Sequence, residues 1–267
     1  TWDAEDYVYQ YDANGNVIGL ESGTTVMIDT IEYNHLNLPV HIVKGDGSEI
    51  FYRYNREGQR IYKQVDGNMP EYYIMDGMNT LAILTLGSGI RYWNIFGSDL
   101  AGKVLASGEK QYYIKDHLGS IRAILDESNT IVESHDYYPF GLDMPSRSYI
   151  SPLITERNKE LFTGKERDSE TGWDYFGARY YDPSIGRWLS VDPLADKAFD
   201  ITPYHYTHNN PLNRIDPDGM VDYWAAANAS LRMTYGAISY VGGIKLTIAS
   251  LAAEPLTLGG STLGIIG

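Results

Sequence analysis

The sequence contains no cysteine. Disulfide staples and thiolate metal sites are excluded, and the redox compartment is left open. Positive charge is also scarce: 21 Lys and Arg stand against 35 Asp and Glu, a formal charge of −14. A nucleic-acid surface needs a basic face, so nucleic acid is not an expected partner. No HExxH, GxSxG or P-loop is present, and no GxGxxG stands in a strand–turn–helix context. The six histidines show no tight metal spacing, and His205 and His208, three apart in a loop-like run, read as a polar turn or a packed aromatic pair. Neither a metal nor a cofactor is expected. The chain opens at Thr1-Trp2-Asp3 without a basic segment followed by an apolar one. It reads as a fragment of a longer protein, with any targeting signal elsewhere. Phenylalanine is rare, with 6 Phe against 23 Tyr.

That tyrosine excess is the first positive signal. Tyr and β-branched residues suit a half-buried pleated surface. Here they recur in register, as Tyr9-Gln10-Tyr11-Asp12-Ala13-Asn14-Gly15-Asn16, Tyr33-Asn34-His35-Leu36-Asn37 and Tyr52-Arg53-Tyr54-Asn55-Arg56-Glu57-Gly58. The spacing is about 20 residues, within the range of repeat arrays. Each unit alternates, turns at Asp/Asn-x-x-Gly/Asn, and alternates again, which predicts a β-hairpin. Tyr73-Ile74-Met75-Asp76-Gly77 and Tyr113-Ile114-Lys115-Asp116-His117-Leu118-Gly119 are degenerate copies. A single hairpin cannot bury its own face, so stacked copies are expected to form one continuous, twisted sheet. Asp12–Asn16 has oxygen side chains at alternate positions, but its Gly is one place early for a calcium loop and Gly23 stands where the closing Glu belongs; a plain turn is expected. The Tyr stripes could offer sugar-binding platforms, although cross-strand pairing accounts for them more economically.

Residues 162–220 differ in character. Asp182-Pro183, Asp192-Pro193 and Asp216-Pro217 punctuate the stretch, and Asp-Pro favours turn initiation. Asp216-Pro217-Asp218-Gly219 has the residue order of a type I turn. Short aromatic runs lie between, so short strands and tight corners are predicted. Five ordered blocks carry a resemblance: Phe162-Thr163-Gly164-Lys165-Glu166, Gly177-Ala178-Arg179-Tyr180-Tyr181-Asp182-Pro183, Gly186-Arg187-Trp188-Leu189-Ser190-Val191-Asp192-Pro193, Asn209-Asn210-Pro211 and Asp216-Pro217-Asp218-Gly219-Met220. Together they closely resemble the core-domain signature of the Rhs and YD-repeat family, which includes the C components of insecticidal toxin complexes. The resemblance implies a hollow β-shell closed by this core, which cuts the chain just after the DPxG[LM] block and frees an enclosed C-terminal segment, usually a toxin.

The resemblance also carries family residues onto Arg179, Asp192 and Asp216, with Met220-Val221 as the expected scissile bond. The chemistry is intelligible without metal, Ser or Cys. Of two carboxylates sharing a proton, one takes a proton from water and the other donates to the carbonyl oxygen. An arginine can fork hydrogen bonds onto a carboxylate and orient it. The residues alone leave another reading open: the Asp-Pro pairs are structural corners, and Arg179 bonds Asp182 or Asp174. Asp182 and Asp218 are competing carboxylates.

The expected fold is all-β: a coiled array of antiparallel hairpins over 1–148, a core plug over 149–220, and a helical or irregular tail over 221–267. Thr155–Leu161 is expected to be a short helix or a connector. Asp222–Leu231 favours helix, with Asp222 as its N-cap. Gly and Ala are dense in the tail, but Lys245, Glu254 and Pro255 interrupt any membrane span, so membrane contact is not the favoured reading. The expected function is encapsulation and self-cleaving release of the C-terminal polypeptide, in a bacterial protein that is secreted or displayed at the cell surface. Expected partners are the cargo, a shell-completing subunit or secretion machinery. Alternatives are a carbohydrate-binding adhesion module and an inert scaffold.

Overall fold

A computed structural model describes residues 7–197, 201–220 and 223–224. Its main feature is one fourteen-stranded antiparallel sheet in which every strand pairs with its sequence neighbour. The strands are β1 (Tyr7–Tyr11), β2 (Val17–Ser22), β3 (Thr25–Tyr33), β4 (Pro39–Lys44), β5 (Glu49–Tyr54), β6 (Arg60–Val65) and β7 (Glu71–Asp76). They continue as β8 (Asn79–Thr85), β9 (Gly89–Phe96), β10 (Leu100–Leu105), β11 (Lys110–Lys115), β12 (Ile121–Leu125), β13 (Ile131–Ser134) and β14 (Tyr149–Ile150). No α-helix occurs among the described residues. The all-β repeat sheet expected from the sequence is the observed architecture.

The repeat has a specific hydrogen-bond logic. Asp12 Oδ1 accepts from the amides of Asn14 and Asn16 at 2.9 and 2.8 Å. Asn34, Asn55, Asp116 and Asp126 accept in the same way from the residues two and four positions on. Each of these Asx side chains closes its own turn, which is why Asp or Asn follows the strand. The preceding tyrosine acts on the neighbouring unit. Tyr33 donates its hydroxyl to the Val17 carbonyl at 2.6 Å, Tyr54 to Pro39 at 2.8 Å, and Tyr137 to Ile121 at 2.8 Å. Each acceptor is the residue where the chain leaves the previous turn. Phenylalanine would pack there but leave that carbonyl unpaired, and a buried unpaired acceptor costs about 1–3 kcal/mol. The shortage of Phe therefore has a structural cause.

Alternation gives the sheet two faces. Val17, Ile31, Ile42, Ile50 and Tyr52 point inward and pack against Trp173, Tyr180 and Leu189. Tyr180 lies in, and Trp173 and Leu189 directly flank, the strands of a second, four-stranded sheet: β15 (Glu166–Arg167), β16 (Asp174–Tyr175), β17 (Tyr180–Asp182) and β18 (Arg187–Trp188). A purely aromatic cluster of Phe162, Phe176, Tyr181, Trp188 and Tyr206 fills its centre. Two backbone bonds tie the segment 161–189 to the large sheet: the Val17 amide donates to the Leu189 carbonyl at 2.8 Å, and the Ile121 amide to the Leu161 carbonyl at 3.0 Å.

Two local expectations are resolved. Of the alternatives for Thr155–Leu161, the connector is observed and the helix is not. The helix expected from Asp222 is corrected at its start, because Tyr223–Trp224 forms strand β20 against β19 (Arg214–Ile215). An aromatic pair suits an extended strand better than a first helical turn, and the free edge at Ile215 supplies a partner. Asp222 and the residues from Ala225 onward lie outside the described residues, as does the tail's expected membrane behaviour. Among the described residues, no helix is long and apolar enough to cross a membrane.

Candidate active site

The three chemically selected residues meet. Arg179 stands at the entrance to β17, Asp192 follows β18, and Asp216 follows β19. One guanidinium nitrogen of Arg179, Nη2, lies 2.8 Å from Asp192 Oδ2 and 3.6 Å from Asp216 Oδ2. The other nitrogens are also engaged: Nε donates to the Gly219 carbonyl at 2.5 Å and Nη1 to the Pro203 carbonyl at 3.3 Å. The plane of the guanidinium rests on Trp188, 4.2 Å from the ring centre. Arg179 and Asp216 are almost fully buried, while Asp192 keeps 13% of its side-chain exposure.

The turn after Ile215 is wound around Asp216. Its Oδ1 accepts from the amides of Gly219 at 2.8 Å, Met220 at 3.1 Å and Asp218 at 3.3 Å. Asp218 Oδ1 also accepts from Met220 at 3.1 Å. Gly219 adopts a φ of +81°, and an added Cβ would sit 3.1 Å from the Arg179 amide nitrogen and 3.3 Å from Phe176 Cβ. Only glycine serves there without strain. The Met220 amide is thereby fixed against Asp216 and Asp218, whereas Val221 lies outside the described residues.

Burial shifts both Asp216 and Arg179 in the direction of their neutral forms. Burial pushes the Asp216 carboxyl up to about 6, further than Arg179 can pull it back, and the nearby Asp218 adds to the rise. Burial also lowers the Arg179 guanidinium, although Asp192 and Asp216 oppose the change. With Oδ1 saturated by three backbone donors, Oδ2 is the Asp216 oxygen able to carry a hydrogen.

The competing assignments separate. Asp174 accepts a two-pronged contact from Arg167, at 2.8 Å on each oxygen. Asp182 accepts from the Ser184 amide and hydroxyl and from Trp173 Nε1. Neither is bonded to Arg179. Asp218 does lie in the site, but its carboxylate holds the Met220 amide rather than the guanidinium. His205 and His208 pack edge to face, with ring centres 4.8 Å apart. The inward tyrosines are engaged inside the molecule: Tyr52 donates to Asp168 at 2.8 Å and Tyr175 to the Gly58 carbonyl at 3.0 Å.

Sequence reasoning missed Trp188 as the platform for Arg179, Pro203 as one of its acceptors, and Lys165, whose Nζ donates to the Pro217 carbonyl at 2.5 Å. Both Trp188 and Lys165 stand in the quoted blocks, but nothing in the blocks says what they touch. A second buried ion cluster was also missed. Arg60 reaches Glu166 at 2.7 Å and Asp168 at 2.9 Å, and Lys63 reaches Asp168 and Glu170, each at 2.7 Å.

A family model described as Teneurin YD-shell matches residues 5–212. The chain belongs to the Rhs and YD-repeat family. The tRNA3(Ser)-specific nuclease WapA of Bacillus spizizenii is 31% identical over 232 residues, covering 84% of this chain and 10% of that protein. Toxin subunit YenC2 of Yersinia entomophaga is 41% identical over 98 residues, covering 36% of this chain and 10% of that subunit. The YD-shell chain thus spans about a tenth of the length of these relatives. In the crystal structure of TcdB2-TccC3-Cdc42, a similar fold covers 86% of this chain and 14% of the matched chain, with a TM-score of 0.59 at 21% identity. That likeness establishes the fold alone.

Proposed function

We propose that this YD-shell segment encloses the polypeptide C-terminal to Met220 and frees it by a single intramolecular cut at Met220-Val221. Residues 1–148 form the closing turns of the shell, 149–220 the core that plugs it, and 221–267 the start of the cargo. The observation that carries the reading is the shared Arg179 nitrogen, 2.8 Å from Asp192 and 3.6 Å from Asp216, on a side chain that also grips the Gly219 carbonyl. Relatives named as tRNA nucleases and toxin subunits support a toxic effector as the cargo, and with it a secreted or surface-displayed bacterial protein. The named complex of TcdB2 with TccC3 supports a shell-completing partner subunit.

In the proposed step Asp192, oriented by Arg179, takes a proton from water, and the hydroxide attacks the Met220 carbonyl carbon. Protonated Asp216 donates to the carbonyl oxygen; the C–N bond to Val221 then breaks as its nitrogen takes the proton that Asp192 received from water, while Asp216 recovers a proton from one hydroxyl of the tetrahedral carbon. The products are a Met220 carboxylate and a Val221 amine. The chain delivers its own bond, so no substrate pocket is needed and orientation supplies much of the acceleration. The cut is single-turnover. Arg179 has a positional role, since its permanent charge orders two acids that would otherwise repel. The test is expression of the chain beside its Asp192→Asn and Asp216→Asn forms. Wild type is expected to separate into two fragments and both variants to stay intact. Cleavage that continues in either variant would overturn the assignment.

A further inference from the structure

Three successive carbonyls of the turn before the proposed cut are each taken by a donor from the core. Pro217 accepts from Lys165 Nζ at 2.5 Å, Asp218 from the Ala178 amide at 2.9 Å, and Gly219 from Arg179 Nε at 2.5 Å. The amides of the same turn face the other way, onto Asp216. The turn is therefore held from both sides, amides to its own acid and carbonyls to the core. Two of the three carbonyl donors sit next to each other in the chain, at Ala178 and Arg179. Lys165 comes from a separate segment, the 3₁₀ turn Phe162–Gly164 and the residue after it. Its ammonium lies 5.4 Å from the centre of the Phe176 ring, and the Cβ of the same Phe176 stands 3.3 Å from where a Cβ on Gly219 would sit.

We propose that Lys165 is a positioning residue: it clamps the Asp216-Pro217 corner two residues before the carbonyl that Arg179 holds and thereby sets where Met220-Val221 lies relative to the two acids. The inference rests on the self-cleavage reading for its consequence, but not for the clamp itself. A turn gripped only at Asp218 and Gly219 can pivot about those two bonds, carrying Met220 with it. Lys165 holds the carbonyl immediately before the pivot and removes that freedom. Lysine suits the task because its ammonium offers three donors on a stem that adapts in length, and a carbonyl needs only one of them. Misplacing a reacting bond by about 1 Å can cost about a hundredfold in rate.

Two measurements separate the clamp from the cut. The first is hydrogen exchange at the amides of Asp218, Gly219 and Met220 in the full chain carrying Asp192→Asn, with and without Lys165→Met. Exchange there is expected to rise at least about tenfold on removal of the ammonium, and Lys165→Arg should restore protection because a guanidinium also reaches a carbonyl. Unchanged exchange overturns the clamp whether or not the wild type cuts. The second is the rate of fragment appearance against pH in chains with Asp192 intact. Lys165→Met is expected to slow cleavage about 10- to 100-fold without moving the pH at which the rate is half-maximal, and Lys165→Arg should recover most of it. A wild-type rate in Lys165→Met, or a loss explained entirely by a displaced pH midpoint, overturns the positioning role. Loosened amides in a chain whose wild type never cuts leave the clamp standing and remove the self-cleavage reading instead.

Discussion

Two buried arginines in this protein have opposite surroundings. Arg60 sits between Glu166 and Asp168, with the hydroxyls of Tyr180 and Tyr73 at 3.0 and 3.3 Å and the ring of Tyr175 beneath it. Burial works against its charge, but Asp168 and Glu166 outweigh it, and its pKa goes up. Asp168 goes down, because Arg60 and Lys63 overcome the cost of its burial. Arg179 shows the reverse: burial outweighs its two acids, so its pKa is lowered and that of Asp216 is raised. In the first cluster the opposite charges outweigh the cost of burial, although Arg60 Nε has no hydrogen-bond partner, and it fastens the segment Glu166–Glu170 to strands β6 and β7. The second leaves an acid close to its titration point beside a peptide bond. An ion cluster whose attractions hold its groups charged builds structure, whereas one in which burial raises an acid toward neutrality can move a proton.

The sharpest way to break the comparison is to strip each cluster of one member. Asp168→Ala leaves Arg60 and Lys63 without their shared partner, and about 3–5 kcal/mol of stability is expected to go, read as a large fall in Tm or in the denaturant midpoint. Arg179→Lys should do the opposite: cleavage falls at least about a hundredfold while Tm moves only a few degrees, because the lysine keeps the charge but loses the fork that spans both acids and the Gly219 carbonyl. Equal losses of stability in the two variants would erase the distinction.

Acidity offers a second handle. The Asp216 carboxyl titrates near 6 in the folded chain, above the usual value of 3.8. The folded state therefore binds a proton that the unfolded state has released between those values, so this group's contribution to stability is lost as pH rises from about 4 to about 6. A shift of about two units corresponds to roughly 3 kcal/mol. Urea titrations at pH 4 and pH 7 should show that component in wild type and lack it in Asp216→Asn. The cleavage rate should fall in the same direction, as pH rises through about 6 and the donor loses its proton.

Smaller effects are expected away from both clusters. Tyr33→Phe deletes the hydroxyl that reaches Val17 and should cost about 1–2 kcal/mol, measured by chemical denaturation. Lys110→Ala removes an exposed pair with Glu127 at 2.9 Å and should leave Tm unchanged, since solvent already screens both charges.

Much of the architecture was legible because the repeat is local. A Tyr-x-Tyr-Asx unit specifies its strand, its turn and its bond to the neighbouring hairpin within about 20 residues. The Asx side chains at Asp12, Asn34, Asn55, Asp116 and Asp126 each do the same work, so pattern alone reveals it. The helix expected from Asp222 failed at Tyr223–Trp224, because local propensity was read without knowing that Ile215 offers an open strand edge. The meeting of Arg179, Asp192 and Asp216 had no local sign, since the acids are 24 positions apart; only the resemblance of five blocks pointed there. The Arg60 cluster was illegible for the same reason. Its acids lie more than a hundred residues away from the arginine, and neither side carries a motif that names the other.

The central claim is most directly tested by the intact mass of the expressed full chain. Two species are expected, with masses that correspond to Thr1–Met220 and to a fragment beginning at Val221, and a single uncut species for Asp216→Asn. A wild-type chain that remains whole under acidic and neutral conditions, or a cut at any other bond, would contradict it.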